Sequence, residues 1–448
     1  VNFTSNFETE SLAIADDPQP ASATVVVHYH ELWLKKGNRN FFLHQLREAI
    51  RRALGGIAIT RISRPGDRLI LQLSRPADLE EALRRLGRVF GISYLGVARV
   101  IDRHTLAKAA AAGDLLAPIR DAAWEETRAE SFSTFAVRAT RSDKSFPLNA
   151  MALERAIGGN VYDRLVAAGR EARVDLKNPS LTCHIEVTRG PMLVYARRIA
   201  GAGGLPANTA GKLLCLLSGG FDSAVAAFKM MKRGAHLSFV HFWGGGGLPG
   251  ESSVHVARQL VERLVPWQFT ARLNLIPFEP LQRVIMAAAP EPLRILLYRR
   301  LMLRIAERVA LRGGCKGVIT GDSLGQVASQ TLLNMQAVGS IARLPLYRPL
   351  VGDDKLEIQE LARRIGTHDI SAESFHDCCP MFQPKSPALY ASPEILDAAE
   401  QSYDVGALVE QALGSVSLER FRYERGHVTQ RHSSARVNAE RAGHKATA

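Results

Sequence analysis

The 448-residue chain lacks any apolar run approaching the ~18–20 residues of a membrane-spanning helix, which excludes a helical membrane protein. Cysteines number only five, none in a C-x-x-C pair, so a zinc knuckle or a cysteine-ligated cluster has no ligand set. Their spacing is not that of a disulfide framework, which fits a reducing cytoplasm. Acidic residues are in deficit, 44 against 57 Lys and Arg, for a net charge of +13. An excess of that size suits a polyanionic partner, with RNA or DNA the usual one. Residues 1–23 are polar, acidic and rich in Ser, Thr and Pro. They form neither a signal peptide nor a transit peptide and read as a flexible extension. A Walker-type phosphate loop is also missing: Leu213 follows Gly211-Lys212, and the position five before Gly211 is Pro206. A soluble, cytoplasmic protein of two or three domains is expected.

What is present begins with Leu213-Leu214-Cys215-Leu216-Leu217, an apolar run that reads as a parallel strand covered on both faces. It runs straight into Ser218-Gly219-Gly220-Phe221-Asp222-Ser223. The two glycines are expected to let the backbone turn sharply and approach a ligand. The stretch Ala224 to Arg233 reads as a helix stopped by Gly234. Strand, glycine turn and helix N-terminus make an anion site, because free N–H groups and the positive dipole end face a phosphate. The segment resembles the pyrophosphatase loop of ATP-adenylating enzymes, so the expected chemistry is activation of an oxygen with AMP and release of pyrophosphate.

The fold class expected is multidomain, α/β with α+β. Residues 24–103 read as strand, helix, a hairpin about Pro65-Gly66-Asp67, helix and strand, the β-α-β-β-α-β order of a ferredoxin-like domain. Residues 104–205 hold strands at Phe132–Ala139, Thr182–Thr188 and Met192–Ile199, with helices between. From Ser131 to Ala200 there are 11 Lys or Arg against 6 Asp or Glu. Arg138, Arg141 and Lys144, with Ser145 and Phe146 nearby, lie on a strand-to-loop edge where they could hold phosphates and stack a base; a solvated charged loop is the plainer reading. Gly201 to Pro206 reads as a linker. Residues 206–392 alternate strands and helices as a doubly wound parallel sheet, with ligands expected at strand C-terminal ends. The phosphate loop, His241-Phe242 and Thr320-Gly321 all fall at such ends. Residues 393–448 read as one or two modest helices, then a polar, basic tail from Gly426.

Six stretches in order carry a family likeness: Glu31 to Arg39, Val137 to Phe146, Gly201 to Pro206, Ser218 to Ser223, Arg299 to Arg304 and Thr320 to Thr331. Together, over about Val25 to Pro387, they resemble tRNA 4-thiouridine synthetase, the tRNA sulfurtransferase family also tied to thiamine thiazole synthesis. The resemblance implies a ferredoxin-like domain, an RNA-binding THUMP domain and an adenylating domain, with tRNA as partner and ATP and Mg²⁺ as cofactors. It implies thiolation of uridine 8, the C4 oxygen being adenylated and AMP then displaced by persulfide or sulfide sulfur. Carried over by motif, Leu216, Leu217, Ser218, Gly219, Gly220, Ser223, His241, Phe242, Arg299, Gly321 and Gln330 would line the ATP site. Asp222 would be the essential acid of the loop; helix N-capping is its bland alternative, as a solvent-facing helix residue is that of Arg299. No resident metal site is expected.

Cys378-Cys379 lies where this family carries its working cysteine. Adjacent Cα atoms stand ~3.8 Å apart, short of the usual ~4.4–6.8 Å of a disulfide. One of the pair, Cys379 ahead of Cys378, is therefore expected to bond a partner's sulfur. Cys183, Cys215 and Cys315 sit in or beside apolar segments and read as packing residues. Three departures stand out: no cysteine follows Cys379 where many relatives carry a rhodanese domain, His30 replaces a common Gly, and Tyr298 a Cys found in some relatives. Sulfur is thus expected from a cysteine desulfurase, a separate persulfide carrier or free sulfide, and a homodimer is compatible with the sequence. The competing readings are another pyrophosphatase-loop tRNA thiolase and a catalytically silent THUMP RNA-binding protein.

Overall fold

The computed structural model describes residues 23–29, 31, 37–244, 253–373 and 386–433. Contacts divide the chain into two compact units, one centred on Ala58–Glu81 and Gly96–Arg197, the other on Val27–Ile57, Ala82–Leu95 and everything from Arg198. In chain order the first elements are β1 (Ala23–His28), α1 (Arg39–Ala53), β2 (Ile59–Ser63), β3 (Arg68–Leu73), α2 (Leu79–Leu86) and β4 (Tyr94–Val97), the ferredoxin-like order expected. Next come β5 (Arg99–Ile101), α3 (Arg103–Ala111), α4 (Ala117–Arg128), β6 (Thr134–Arg141), α5 (Ala150–Ala167), β7 (Arg173–Val174), β8 (Leu181–Val187), β9 (Met192–Tyr195) and β10 (Arg198–Ala200).

Two stretches that alternation reads as single strands are each split between two sheets. Tyr94 to Ile101 gives β4 to the sheet β10-β4-β1-β3-β2 and β5 to the sheet β5-β9-β8-β6-β7, and Met192 to Ile199 divides likewise into β9 and β10. Periodicity registers which residues are buried, not the sheet that buries them. In the second sheet, Leu153, Ile157, Val161 and Leu165 recur every four residues along α5 and form one apolar stripe. They pack with Phe135 and Val137 of β6 and Cys183 and Ile185 of β8.

The stretch Gly201 to Pro206, expected as a linker, is a packed part of the second unit. Gly203 donates its N–H to the Ile92 carbonyl at 2.7 Å, and Leu205 to the Lys232 carbonyl at 3.0 Å. Gly204 sits at φ +73°, and a Cβ there would collide with the Lys232 backbone. The glycines thus serve close approach rather than flexibility.

The rest of the second unit comprises β11 (Lys212–Leu216), α6 (Phe221–Lys232), β12 (His236–Trp243), α7 (Ser253–Leu264), β13 (Thr270–Pro277), α8 (Glu279–Ala288), α9 (Arg294–Arg312), β14 (Val318–Ile319), α10 (Leu332–Gly339), β15 (Leu346–Tyr347), α11 (Lys355–Ile365) and α12 (His368–Ala372). Then follow α13 (Pro393–Glu400), α14 (Val405–Gly414), β16 (Ser417–Glu424) and β17 (His427–Ser433). The sheet runs β15-β14-β11-β12-β13-β16-β17. Its first five strands are parallel and its last two antiparallel. Chain order reverses at β11, whose neighbours are β12 on one side and β14 on the other. That switch point opens a crevice at the strand C-terminal ends, where open α/β sheets bind ligands.

The region after Pro393 departs from the expected helices and polar tail. Residues 417–433 form a hairpin that lengthens the sheet, with Ala271 opposite Phe421 and Tyr423 opposite Val428. Leu418, Phe421 and Tyr423 supply too few apolar positions to stand out among Glu and Arg. What makes the strand is that Glu419, Phe421 and Tyr423 are buried while Arg420, Arg422 and Glu424 face water, the period of two that a half-buried strand requires. Residues from 434 onward lie outside the described residues. Among those described, no helix is long and apolar enough to cross a membrane.

Candidate functional site

The crevice between β11 and β14 holds a cavity of about 670 Å³, within the usual range for small-molecule sites. The loop after β11 forms one end. There the Ser223 hydroxyl accepts the Ser218 N–H at 3.1 Å, and the Ser218 hydroxyl accepts the Gly220 N–H at 3.3 Å. These bonds pin the loop so that α6 begins at Phe221, its first-turn N–H groups without helical partners. Neither Gly219 nor Gly220 takes a positive φ, so the expected glycine-driven sharp turn is not the reason for them. At Gly220 a Cβ would meet only Ser218 Oγ, at 3.6 Å. The fold would tolerate a side chain there; the open space is what a close ligand needs.

Gly321 is demanded by packing. A Cβ on it would lie 2.8 Å from the Ser223 N, so the chain leaving β14 touches the first turn of α6 only because glycine is there. Leu216, Leu217, Ser218, Asp222, Ser223 and Phe242 all line the cavity, as do Arg299, Gly321 and Gln330. His241 does not. It is buried behind the loop, its Nδ1 2.8 Å from the Leu217 carbonyl and its Nε2 2.9 Å from Ser253 Oγ, so it braces the wall instead of facing a ligand.

Helix α9 supplies the second wall. Ile295, Tyr298, Arg299 and Met302 line the cavity, a spacing that puts them on one helix face. Arg299 is therefore not the solvent-facing residue of its bland reading. It pairs with Asp322 and donates to Ser329 Oγ at 3.0 Å. Asp322 also accepts from Thr320 Oγ1 at 2.8 Å and from Arg348 Nε at 3.4 Å. Burial pushes its pKa up, but Arg299, Thr320 and Arg348 outweigh burial and hold it below the usual carboxylate range. Gln330 sits beside it, with its Oε1 buried and no hydrogen-bond partner among the described residues. An orphaned acceptor on a cavity wall fits a ligand that brings a donor.

Asp222 is not an N-cap, since the capping position is Gly220. Its carboxylate accepts from Lys355 Nζ at 3.1 and 3.2 Å and from Gln326 Nε2 at 3.2 Å. Lys355 is the first residue of α11, set there by a capping box in which Asp354 accepts the Glu357 N–H at 2.9 Å and Glu357 the Asp354 N–H at 3.2 Å. Its ammonium also lies 4.2 Å from the centre of the Phe221 ring. Asp322, Gln326, Arg348 and Lys355 were not among the expected site residues. Asp322 and Gln326 lie inside the motif Thr320 to Thr331, which was a usable signal; Arg348 and Lys355 carry none, being brought in by the fold alone.

Cys378 and Cys379 lie outside the described residues. Cys183, Cys215 and Cys315 are buried, as expected. Burial pushes the Cys183 thiol up to about 12 and raises Cys215 and Cys315 as well, so these three are packing groups rather than nucleophiles.

The expected RNA-contact residues sit in the first unit. Arg138 on β6 donates to the Leu176 carbonyl. Arg141 donates to the carbonyls of Phe146 and Leu148 at 3.1 and 2.9 Å, which makes it a staple of its own loop. Phe146 packs against the α5 core, so it is not the free stacking aromatic expected. Asp143 is held well below the usual carboxylate range by the Ser145 hydroxyl, then Arg103 and the Ser145 N–H. Lys144, between these fixed groups, is exposed.

Comparison with known proteins gives a consistent picture. Residues 208–405 match the family model "Thiamine biosynthesis protein (ThiI)", residues 24–95 its ferredoxin-like domain and residues 109–197 the THUMP domain. The chain is 40% identical to a probable tRNA sulfurtransferase of Thermus thermophilus, over 86% of this chain and 90% of that protein. It is 36% identical to one from Macrococcus caseolyticus, over 88% and 94%. Among solved structures it resembles a 4-thiouridine synthetase in complex with RNA and bound ATP, with a TM-score of 0.77 and 30% identity, covering 89% of this chain and 100% of that one.

Proposed function

The chain belongs to the tRNA sulfurtransferase family, and we propose that it makes 4-thiouridine at position 8 of tRNA by adenylating the uracil C4 oxygen and exchanging it for sulfur. The observation that carries this reading is one cavity with two halves: an anion-binding helix start at one end and an apolar wall beside it. When bound, ATP supplies the adenylyl group that turns a poor leaving oxygen into a good one. The Ser218 and Ser223 hydroxyls and the N-terminus of α6 hold phosphate oxygens. Leu216, Val240, Phe242 and Met302 take a purine ring, and Gln330 Oε1 accepts a hydrogen bond from its amino group. Arg299, locked by Asp322 and Ser329, is a fixed positive charge that needs no rearrangement during reaction.

Asp222 orients the reacting uridine or the phosphates, with Lys355 and Gln326 fixing its carboxylate. Mg²⁺ enters with the phosphates and meets Asp222, since no group of three His, Cys, Asp or Glu able to hold a metal occurs among the described residues. Cys379, or Cys378 beside it, receives sulfur from a cysteine desulfurase or a separate persulfide carrier, and the same sulfur can serve thiazole synthesis. Domain limits fall near 24–103, 104–205 and 206 onward, with the last domain including the hairpin through Ser433. Arg138 and Lys144 offer the THUMP domain's charge to tRNA, in the cytoplasm, from a monomer or a homodimer.

The test is thiolation of unmodified tRNA by the purified full chain with ATP, Mg²⁺ and sulfide, read by nucleoside mass spectrometry. 4-Thiouridine that appears only with ATP supports the reading. A different thiolated uridine would make the chain another pyrophosphatase-loop thiolase, and tRNA binding with no product would leave an RNA-binding protein. Cys379→Ser is expected to block transfer from a persulfide donor while sparing the sulfide reaction.

A further inference from the structure

At the end of the seven-stranded sheet, register aligns three arginines. Arg272 of β13 stands opposite Arg420 of β16, and Arg420 opposite Arg431 of β17. Directly opposed residues share a face, with Cβ atoms about 5 Å apart, and like charges so placed destabilise a sheet. All three are exposed, and none has an ion-pair partner among the described residues.

The neighbouring row adds charge of the same sign. Arg422 lies between Thr270 and Thr429, and Arg52 stands over the Phe269 ring at 4.5 Å. Burial and the positive charges of Lys212, Arg52 and Arg272 bring His236, at the start of β12, down to about 4. The acids of the hairpin are already engaged: Glu419 is buried and bonded by Arg258 at 2.6 Å, and Glu424 is bonded by Arg422 at 2.9 Å. A free sheet that sets three unpaired guanidinium groups side by side gives up stability that an anion with repeating charges restores. A second copy of this chain is the wrong occupant, since each copy carries +13. A nucleic-acid backbone has the right charge and repeat, and guanidinium groups match phosphate oxygens in pairs.

We propose that the row Arg272–Arg420–Arg431 is a phosphate-backbone contact for RNA on the catalytic unit, separate from the charge of the THUMP domain. The proposal rests on tRNA being the substrate and adds a second place where that substrate is held. Contacts to phosphates are read by salt dependence, because each one releases counterions.

The experiment measures binding of unmodified tRNA to the full chain between about 50 and 200 mM salt, for wild type and R272Q/R420Q/R431Q. ATP binding by calorimetry serves as the folding control. The triple variant is expected to bind ATP normally, to lose roughly two units of slope in log K against log salt, and to bind tRNA at least about tenfold more weakly. R431Q alone, on the edge strand, should lose a little under one unit, and the triple Lys variant should recover most of the slope. Unchanged affinity and slope in the triple Gln variant, with wild type still binding tRNA, would overturn the row and leave the function standing. Wild type without tRNA affinity would overturn both. A change of mass by light scattering without a change of slope would assign the row to contacts between copies and also overturn it.

Discussion

Two aspartates, one just past β11 and one just past β14, share a cavity and differ in surroundings. The Asp322 side chain is 7% exposed and enclosed by Arg299, Arg348 and Thr320. The Asp222 side chain is 24% exposed and meets the ammonium of Lys355 and the amide of Gln326. A buried carboxylate must be fully matched, since removing it from water costs several kcal/mol unless partners compensate; once matched it is part of the wall. A half-open carboxylate whose partners sit on flexible stems can exchange them for a ligand. The same residue type thus builds the site in one place and acts in it in the other.

Substitutions sharpen or break that contrast. Asp222→Ala is expected to lower thiolation at least about 100-fold while leaving the thermal midpoint and tRNA affinity as in wild type, checked by nucleoside mass spectrometry and calorimetry. A large loss of stability instead would make Asp222 a second wall residue. Asp322→Ala should do the opposite first: it leaves Arg299 and Arg348 without their shared partner and should cost about 3 kcal/mol in denaturant unfolding, with ATP binding lost as a consequence. Gly321→Ala probes the contact between the two strand ends. Its Cβ would press on the Ser223 N at 2.8 Å, so a destabilisation of about 1–3 kcal/mol and weaker ATP binding are expected.

The smallest effect is with pH. Asp322 has a folded pKa below its unfolded value of about 4. Its contribution is therefore complete above about pH 4 and is lost as pH falls through the folded pKa. Wild-type stability should drop in that acid range more steeply than that of Asp322→Asn. Parallel curves would remove Asp322 from the acid response.

Much of this was legible before any coordinates. The run Leu213 to Leu217 followed by Ser218 to Ser223 announces strand, loop and helix because buried parallel strands are continuously apolar and a phosphate loop needs small residues. The α5 stripe is equally plain. What escaped has a physical cause in each case. Residues 417–433 read as polar because a half-buried strand at the end of a sheet needs only every second residue apolar. His241 falls at a strand end, where ligands bind, yet its ring turns back to the Leu217 carbonyl, a choice made by rotamer and neighbours. Phe146 sits amid charges as a stacking residue would, but the core of α5 takes it.

The sequence by itself determined the order of the domains, the phosphate loop and the chemistry that loop serves, because these rest on local periodicity and on residues adjacent in the chain. Tertiary structure alone decided that Lys355 closes on Asp222 across 133 positions, that Arg299 and Arg348 share Asp322, and that Arg272, Arg420 and Arg431 stand in a row. Pairings of that kind depend on strand register and on the topological reversal at β11, which bring together side chains whose separation along the chain carries no signal.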